Sequence, residues 1–337
     1  MKARARTAVG TLVLLAALGA AVAVAYFGVH LRGEREQAAG TRGKRVLGIE
    51  AARVSGLRIE KPDGTVALVR GEGGAWRLTA PVAGPADGRA VDALLDHAER
   101  LERRATSAEP GLSEARLRAY GLAPPEGTVT FTLESGEARA LRLGSGSGFD
   151  GAMFVQPPSG EVVVVPGDAR YALLRTAYDL REKRLVPAFE EARVTAVEVT
   201  APRGAYALAR EGGGWKVTAP APADADPGAA PRVLGALRDL RASSFGAAIP
   251  PGARPRYAVR VALQGGEERR VEVFAGPDDA TLLVPAGPDA ARVPASALAE
   301  LDQDLASLSA KPPAQGPGTP APSAPPGAPG GPPSPTP

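Results

Sequence analysis

The chain repeats itself. VSGLRIEKPDG, Val54 to Gly64, returns 140 residues later as VTAVEVTAPRG, Val194 to Gly204, with Val, Leu or Ile on Val at the alternating positions and Pro62 on Pro202. One residue then drops from a glycine turn, GEGGAW against EGGGW, and the shift becomes 139. It holds without a gap from WRLTAP, Trp76 to Pro81, on WKVTAP, Trp215 to Pro220, as far as Leu101 on Leu240. A looser match follows, VTFTLESGE on VRVALQGGE and LRL on VEV, after loops of unequal length. A period this long is a tandem pair of domains, since solenoid repeats run to about 20–50 residues.

One copy reads as an antiparallel sheet with a helix. Leu57 and Ile59, then Val66 and Leu68, alternate with polar neighbours around the PDG turn at Pro62 to Gly64, which is hairpin chemistry. Trp76 and Leu78 form a third strand that Pro81 ends. Asp87 stands as a helix N-cap, and Val91, Leu94, Leu95, Ala98 and Leu101 fall on one helical face. VTFTL, ARALRL, AMFVQ and EVVVV predict four more strands, and ARYALLRTAY a closing helix. GSGSG at Gly144 to Gly148 reads as a flexible hairpin loop. In the second copy Pro231 would clash inside a helix begun at Asp226-Pro227, so the helix is expected over Pro231 to Leu240.

The flanks differ from the repeats. Between Arg6 and Arg32 lie 25 residues without Lys, Arg, Asp or Glu, a run that at about 1.5 Å per residue spans a bilayer core of about 30 Å. It reads as an uncleaved transmembrane anchor, with a signal peptide cut near Ala23 or Ala25 as the rival. The expected order is an anchor at 1–32, a juxtamembrane linker at 33–52, α+β repeat domains at 53–186 and 187–309, and a disordered tail rich in Pro, Ala and Gly at 310–337. Such an anchor places the bulk of the chain outside the cytoplasm, on a single-pass membrane protein.

Chemistry has little material. There is no cysteine, which removes disulfides, thiolate nucleophiles and Cys-ligated metals. The net charge is +3 with 4% aromatic residues and no basic run interleaved with them, so no nucleic-acid surface is indicated. His30 and His97 are the two histidines, and the repeat sets Ala236 at the place of His97. Asp87 and Asp226 recur beside the hexapeptide and suit capping better than acid/base or metal work. Trp76 and Trp215 suit the core better than ligand stacking. Accordingly no catalytic, cofactor-binding or metal-binding residue is assigned, no cofactor or small-molecule substrate is implied, and the expectation is a protein that is not an enzyme. A hydrolase working through Asp87 and Asp226 is the enzymatic alternative.

The order of features resembles the bacterial domain of unknown function family 4340. The residues that carry the resemblance are Trp76, Leu78 and Pro81, Asp87, Tyr120-Gly121-Leu122 with Pro124, and LRLG ending at Gly144, over Val54 to Leu185 and more weakly in the second copy. The resemblance implies an envelope protein anchored in the bacterial inner membrane, with its bulk periplasmic, and associated with ABC-type transport or gliding complexes. Its partners would be the membrane, through the N-terminal helix, and transporter subunits or other envelope proteins. An envelope scaffold binding peptidoglycan or another surface polymer is the alternative.

Overall fold

The computed structural model describes residues 44–108, 110–148, 151–278 and 280–310. The chain forms two compact units. One takes the chain up to Pro187 together with Asp239–Pro255 and Glu272–Ala297, and the other holds Ala188–Arg238, Arg256–Val271 and the chain from Leu298.

The first unit contains β1 (Val54–Lys61), β2 (Gly64–Arg70), β3 (Trp76–Ala80), β4 (Gly84–Pro85), α1 (Gly88–Arg100), β5 (Ala105–Ala108), α2 (Glu114–Ala119), β6 (Gly127–Leu133), β7 (Ala138–Ser147), β8 (Met153–Gln156), β9 (Val162–Val165), α3 (Ala169–Leu173) and α4 (Ala177–Leu180). The strands form one antiparallel sheet in the order β4-β3-β2-β1-β6-β7-β8-β9-β5. Pro62 and Asp63 make the first hairpin turn, which pairs Lys61 with Gly64. Leu57, Ile59, Leu68 and Leu78 bury one face of the sheet in the same cluster as Val91, Leu94, Leu95 and Ala98 of α1. The other face alternates toward solvent, as an antiparallel sheet covered on one side requires. Val46, Leu47 and Ile49 enter the same core ahead of β1.

The second stretch of chain supplies β10 (Val194–Ala201), β11 (Gly204–Glu211), β12 (Gly214–Ala219), β13 (Ala223–Asp224), α5 (Ala229–Asp239), β14 (Ser244–Ala247), β15 (Tyr257–Leu263), β16 (Glu268–Ala275), β17 (Thr281–Pro285), β18 (Ala290–Pro294) and α6 (Leu305–Leu308). In the second unit the order is β13-β12-β11-β10-β15, which copies β4-β3-β2-β1-β6. In the first unit β17, β18 and β14 pair in the order of β8, β9 and β5. Antiparallel sheets with helices, laid down twice, agree with the α+β duplication read from the sequence.

The copies share more than strands. Val46 N–H donates to Leu101 O at 2.9 Å and Arg103 N–H to Lys44 O at 2.9 Å; 139 residues on, Leu185 N–H donates to Leu240 O at 3.1 Å and Ala242 N–H to Lys183 O at 2.8 Å. Arg70 lies 4.9 Å from the Trp76 ring centroid and donates to Ala52 O, while Arg210 lies 5.0 Å from Trp215 and donates to Glu191 O. The peptides before Pro81 and Pro220 are both cis.

Four expectations are corrected. The membrane-spanning helix at 1–32 lies outside the described residues, as do most of the linker and all but Ala310 of the tail. Among the described residues no helix is long and apolar enough to cross a membrane. The longest, α1, has 13 residues, about 20 Å of rise against the roughly 30 Å of a bilayer core. The transmembrane element is therefore withdrawn from the fold, and with it the single-pass inner-membrane placement and the membrane as a partner. GSGSG is no loop, because Gly144 to Ser147 belong to β7. A Cβ on Gly144 would stand 2.6 Å from Tyr120 O, and one on Gly121, at φ +70°, 2.5 Å from Gly146 N. These glycines let the Tyr120-Gly121-Leu122 segment lie directly on the strand, where Tyr120 meets Phe154 edge-on. The closing helix breaks in two at Leu174, and Thr176 with Asp179 forms a capping box that restarts the chain as α4. Finally, α5 opens at Ala229, two residues ahead of Pro231. Proline is tolerated there because first-turn N–H groups have no partner within the helix.

Candidate functional site

The site is built around Arg181, the one charged side chain that is buried among the described residues, at 5% exposure. Helix α4 delivers it. Leu180 O accepts from Asp87 N–H at 2.9 Å, Glu182 N–H donates to Pro85 O at 3.1 Å, and Arg181 bridges Ala86. These contacts pin the chain after α4 along the edge of the sheet at β4.

Both terminal nitrogens of the guanidinium meet partners. Nη1 donates to Asp289 Oδ2 at 2.9 Å and Nη2 to Oδ1 at 2.6 Å, a two-pronged pair that matches the fork of arginine to a carboxylate. Nη2 also donates to Ala286 O at 2.6 Å, and the Phe245 ring lies beneath the group at 3.8 Å. Asp289 accepts in addition from Gly246 N–H at 2.9 Å. The Arg181 hydrogen bonds, opposed by burial and helped by Gly246, hold the Asp289 carboxyl below the ordinary aspartate range.

Two clefts flank this stack. The first, about 400 Å³, has apolar walls of Leu78, Pro81, Val82, Tyr178 and Phe245, and Arg181 and Asp289 complete its lining. Tyr178 is 40% exposed; its hydroxyl donates to Ala242 O at 3.3 Å and its ring lies 6.0 Å from Phe245. The second, about 550 Å³, is walled by Pro85, Pro187, Pro285 and Pro288 and edged by Arg77 and Arg184. Arg184 is bound to Glu182 at 2.9 Å. Burial works to raise the Glu182 carboxyl, but the hydrogen bonds from Arg184 outweigh it and leave the group below its usual range. Thus the carboxylates of both clefts are spent on guanidinium groups.

The duplication makes the site asymmetric. Asp226 N–H donates to Leu308 O at 2.7 Å as Asp87 N–H does to Leu180 O, and Ala225 bridges Ser309 as Ala86 bridges Arg181. The same backbone therefore carries Ala306 and Ser309 where the first copy carries Tyr178 and Arg181.

The residues singled out in the sequence lie elsewhere. Asp87 caps α1, accepting from Ala90 N–H at 3.2 Å. Asp226 accepts from Gly228 N–H at 3.1 Å and pairs with Arg232. Trp76 is buried in the core, whereas Trp215 is half-buried under Arg210. His97 lies half-buried on α1, and His30 is outside the described residues. Among the described residues no group of three or more His, Asp or Glu stands close enough to hold a metal ion. Arg181, Tyr178, Phe245 and Asp289 escaped the sequence reading because no motif joins positions 108 residues apart.

Residues 76–260, more than half of the chain, match the family described as Domain of unknown function (DUF4340). The chain belongs to the DUF4340 family. No curated protein and no solved structure matches it. The DUF4340 match begins at Trp76 in β3, ends at Arg260 in β15, and so takes in Tyr178, Arg181 and Phe245 but not Asp289. Its description assigns no function, and among the described residues no helix is long and apolar enough to serve as the expected anchor. The expected role beside ABC-type or gliding complexes, and the alternative of a scaffold on peptidoglycan, are withdrawn accordingly.

Proposed function

We propose that this DUF4340 chain is a non-catalytic binding protein and that its ligand occupies the apolar cleft above the Arg181–Asp289 pair. The observation that carries the reading is the exposed Tyr178 beside Phe245, in a cleft whose lining charges are already neutralised. Concave, largely apolar sites with a few fixed polar groups are the usual form of ligand pockets, at about 300–1,000 Å³. The cleft falls in that range. Both nearby carboxylates, Asp289 and Glu182, are held deprotonated by arginines, which suits a rigid wall better than a proton donor. The absence of the same side chains from the matching backbone at Ala306 and Ser309 supports a role particular to the first copy.

An environment-sensitive anilinonaphthalene dye tests the reading. Its fluorescence should rise on binding the native protein, and Tyr178→Ala or Val82→Trp should weaken that binding about tenfold. Val69→Ser, which changes another exposed apolar residue on β2, should not. Equal enhancement in all four proteins would show that the dye, and the cleft as a ligand site, have nothing to do with each other.

A further inference from the structure

The cleft does not stop at Arg181. Phe245 and Arg181 line both hollows, so the stacked pair is a ridge between an apolar compartment on one side and a proline-walled compartment on the other. The two compartments differ in charge. In the first, Arg181 is cancelled by Asp289; in the second, Arg184 is matched by Glu182, but Arg77 is exposed and pairs with no carboxylate among the described residues. Arg77 stands on β3 opposite Pro85 of β4, with its side chain at the compartment's edge.

A strand edge borders the same groove. β14, four residues long and bulged between Ser244 and Ala247, pairs with β18 and, among the described residues, with no other strand, and Ser243 to Gly246 line the apolar compartment. Unpaired strand edges are templates for an extended chain, which gains main-chain hydrogen bonds from the edge and selectivity from side-chain pockets beside it. A compact small molecule would fill one compartment and leave the other, the free guanidinium and the strand edge unused.

Resting on the reading of this cleft as the ligand site, we infer that the ligand is an extended peptide segment. It sets an apolar side chain against Tyr178 and Phe245 and, across the Arg181 ridge, a carboxylate side chain against Arg77. The recognition is a neutral apolar pocket followed by a cationic one, so it excludes a basic residue at the second position. Charge complementarity of this kind governs selectivity and encounter more than total affinity, and it weakens with salt.

The test uses the full chain and an end-blocked octapeptide of serine and threonine with one central phenylalanine and, two residues on, one glutamate, labelled with a neutral fluorophore. Anisotropy should report saturable binding that weakens at least tenfold when the peptide glutamate becomes lysine. Arg77→Glu should weaken the glutamate peptide by a similar factor and recover binding of the lysine peptide, an exchange that damage to the fold cannot produce. Val82→Trp should abolish binding of both. If the dye depends on Tyr178 while the peptide binds no better than its scrambled, phenylalanine-free counterpart, the peptide inference falls and the ligand cleft stands. If the peptide binds but ignores the charge exchange, the assignment of Arg77 falls. If neither probe responds to the wall substitutions, both readings fall together.

Discussion

Arg181 and Asp289, 108 positions apart in sequence, form a two-pronged ion pair at 2.9 and 2.6 Å, with Arg181 buried and Asp289 half-buried beside it. Coulomb attraction alone does not make such a pair stabilising, because both charges leave water to form it. Here the remaining capacity is used: Ala286 O takes a further guanidinium hydrogen and Gly246 N–H a carboxylate lone pair. Breaking it from one side is then the costly event. Arg181→Leu should destabilise the first unit by about 3 kcal/mol, since the half-buried Asp289 would be left without a counter-charge. The double replacement Arg181→Leu with Asp289→Leu should recover a large part of that loss. Urea unfolding of the three proteins measures both, and a double variant no better than Arg181→Leu would show that the pair is not the source.

The same pair fixes a pH dependence. The Asp289 carboxyl is held below the ordinary aspartate value of 3.8 in the folded protein. A depressed carboxyl binds fewer protons folded than unfolded, so its contribution is complete above the unfolded value and fades as pH falls through the folded one. The stability difference between the native protein and Arg181→Leu should therefore stay level from neutral pH to about pH 5 and shrink below about pH 4. A difference that grows on acidification would contradict the assignment.

Much of this fold is legible in the sequence, and the reason is periodicity. Strands β1 to β3 and helix α1 carry their burial in local alternation, so Leu57, Ile59, Val91 and Leu94 declare themselves. The glycines of β7 mislead because their task is nonlocal: they make room for Tyr120, and nothing near Gly144 in sequence says so. The cleft is illegible for the same reason, since α4 contributes Tyr178, the residue that follows it is Arg181, and the hairpin of β17 and β18 contributes Asp289. Comparing the copies would have exposed the site, but Tyr178 meets Ala306 only at a shift of 128, after loops of unequal length had carried the alignment beyond its clear part.

The recurring Trp separates the copies energetically. Trp76 is 5% exposed and its neighbour Arg70 covers one face, whereas Trp215 is half-buried in the same register under Arg210. Trp76→Ala should cost about 4 kcal/mol, the range for emptying a core aromatic site. Trp215→Ala, which leaves less of a cavity, should cost about half as much. Differential hydrogen exchange on the two variants assigns each loss to its unit, and equal losses would mean that the exposure difference has no energetic consequence.

Two glycines of similar appearance should behave differently on replacement by alanine. Gly136 turns the β6–β7 hairpin at φ +84° with open space where a Cβ would stand, so Gly136→Ala meets only backbone strain, about 1 kcal/mol. Gly144 has an ordinary strand position, yet a Cβ there would lie 2.6 Å from Tyr120 O and 3.0 Å from Phe154 O. Main-chain oxygens cannot swing aside as the end of a side chain does, so Gly144→Ala should cost about 3 kcal/mol by forcing the Tyr120 segment off the strand. The edge contact of Tyr120 with Phe154, now at 4.9 Å between ring centroids, would open in the process. Thermal unfolding gives the two magnitudes, and ring-current shifts of the Phe154 protons report the contact. A Gly144→Ala protein that melts like Gly136→Ala and keeps those shifts would show that the strand accommodates a methyl group and that the glycines of β7 serve some other end.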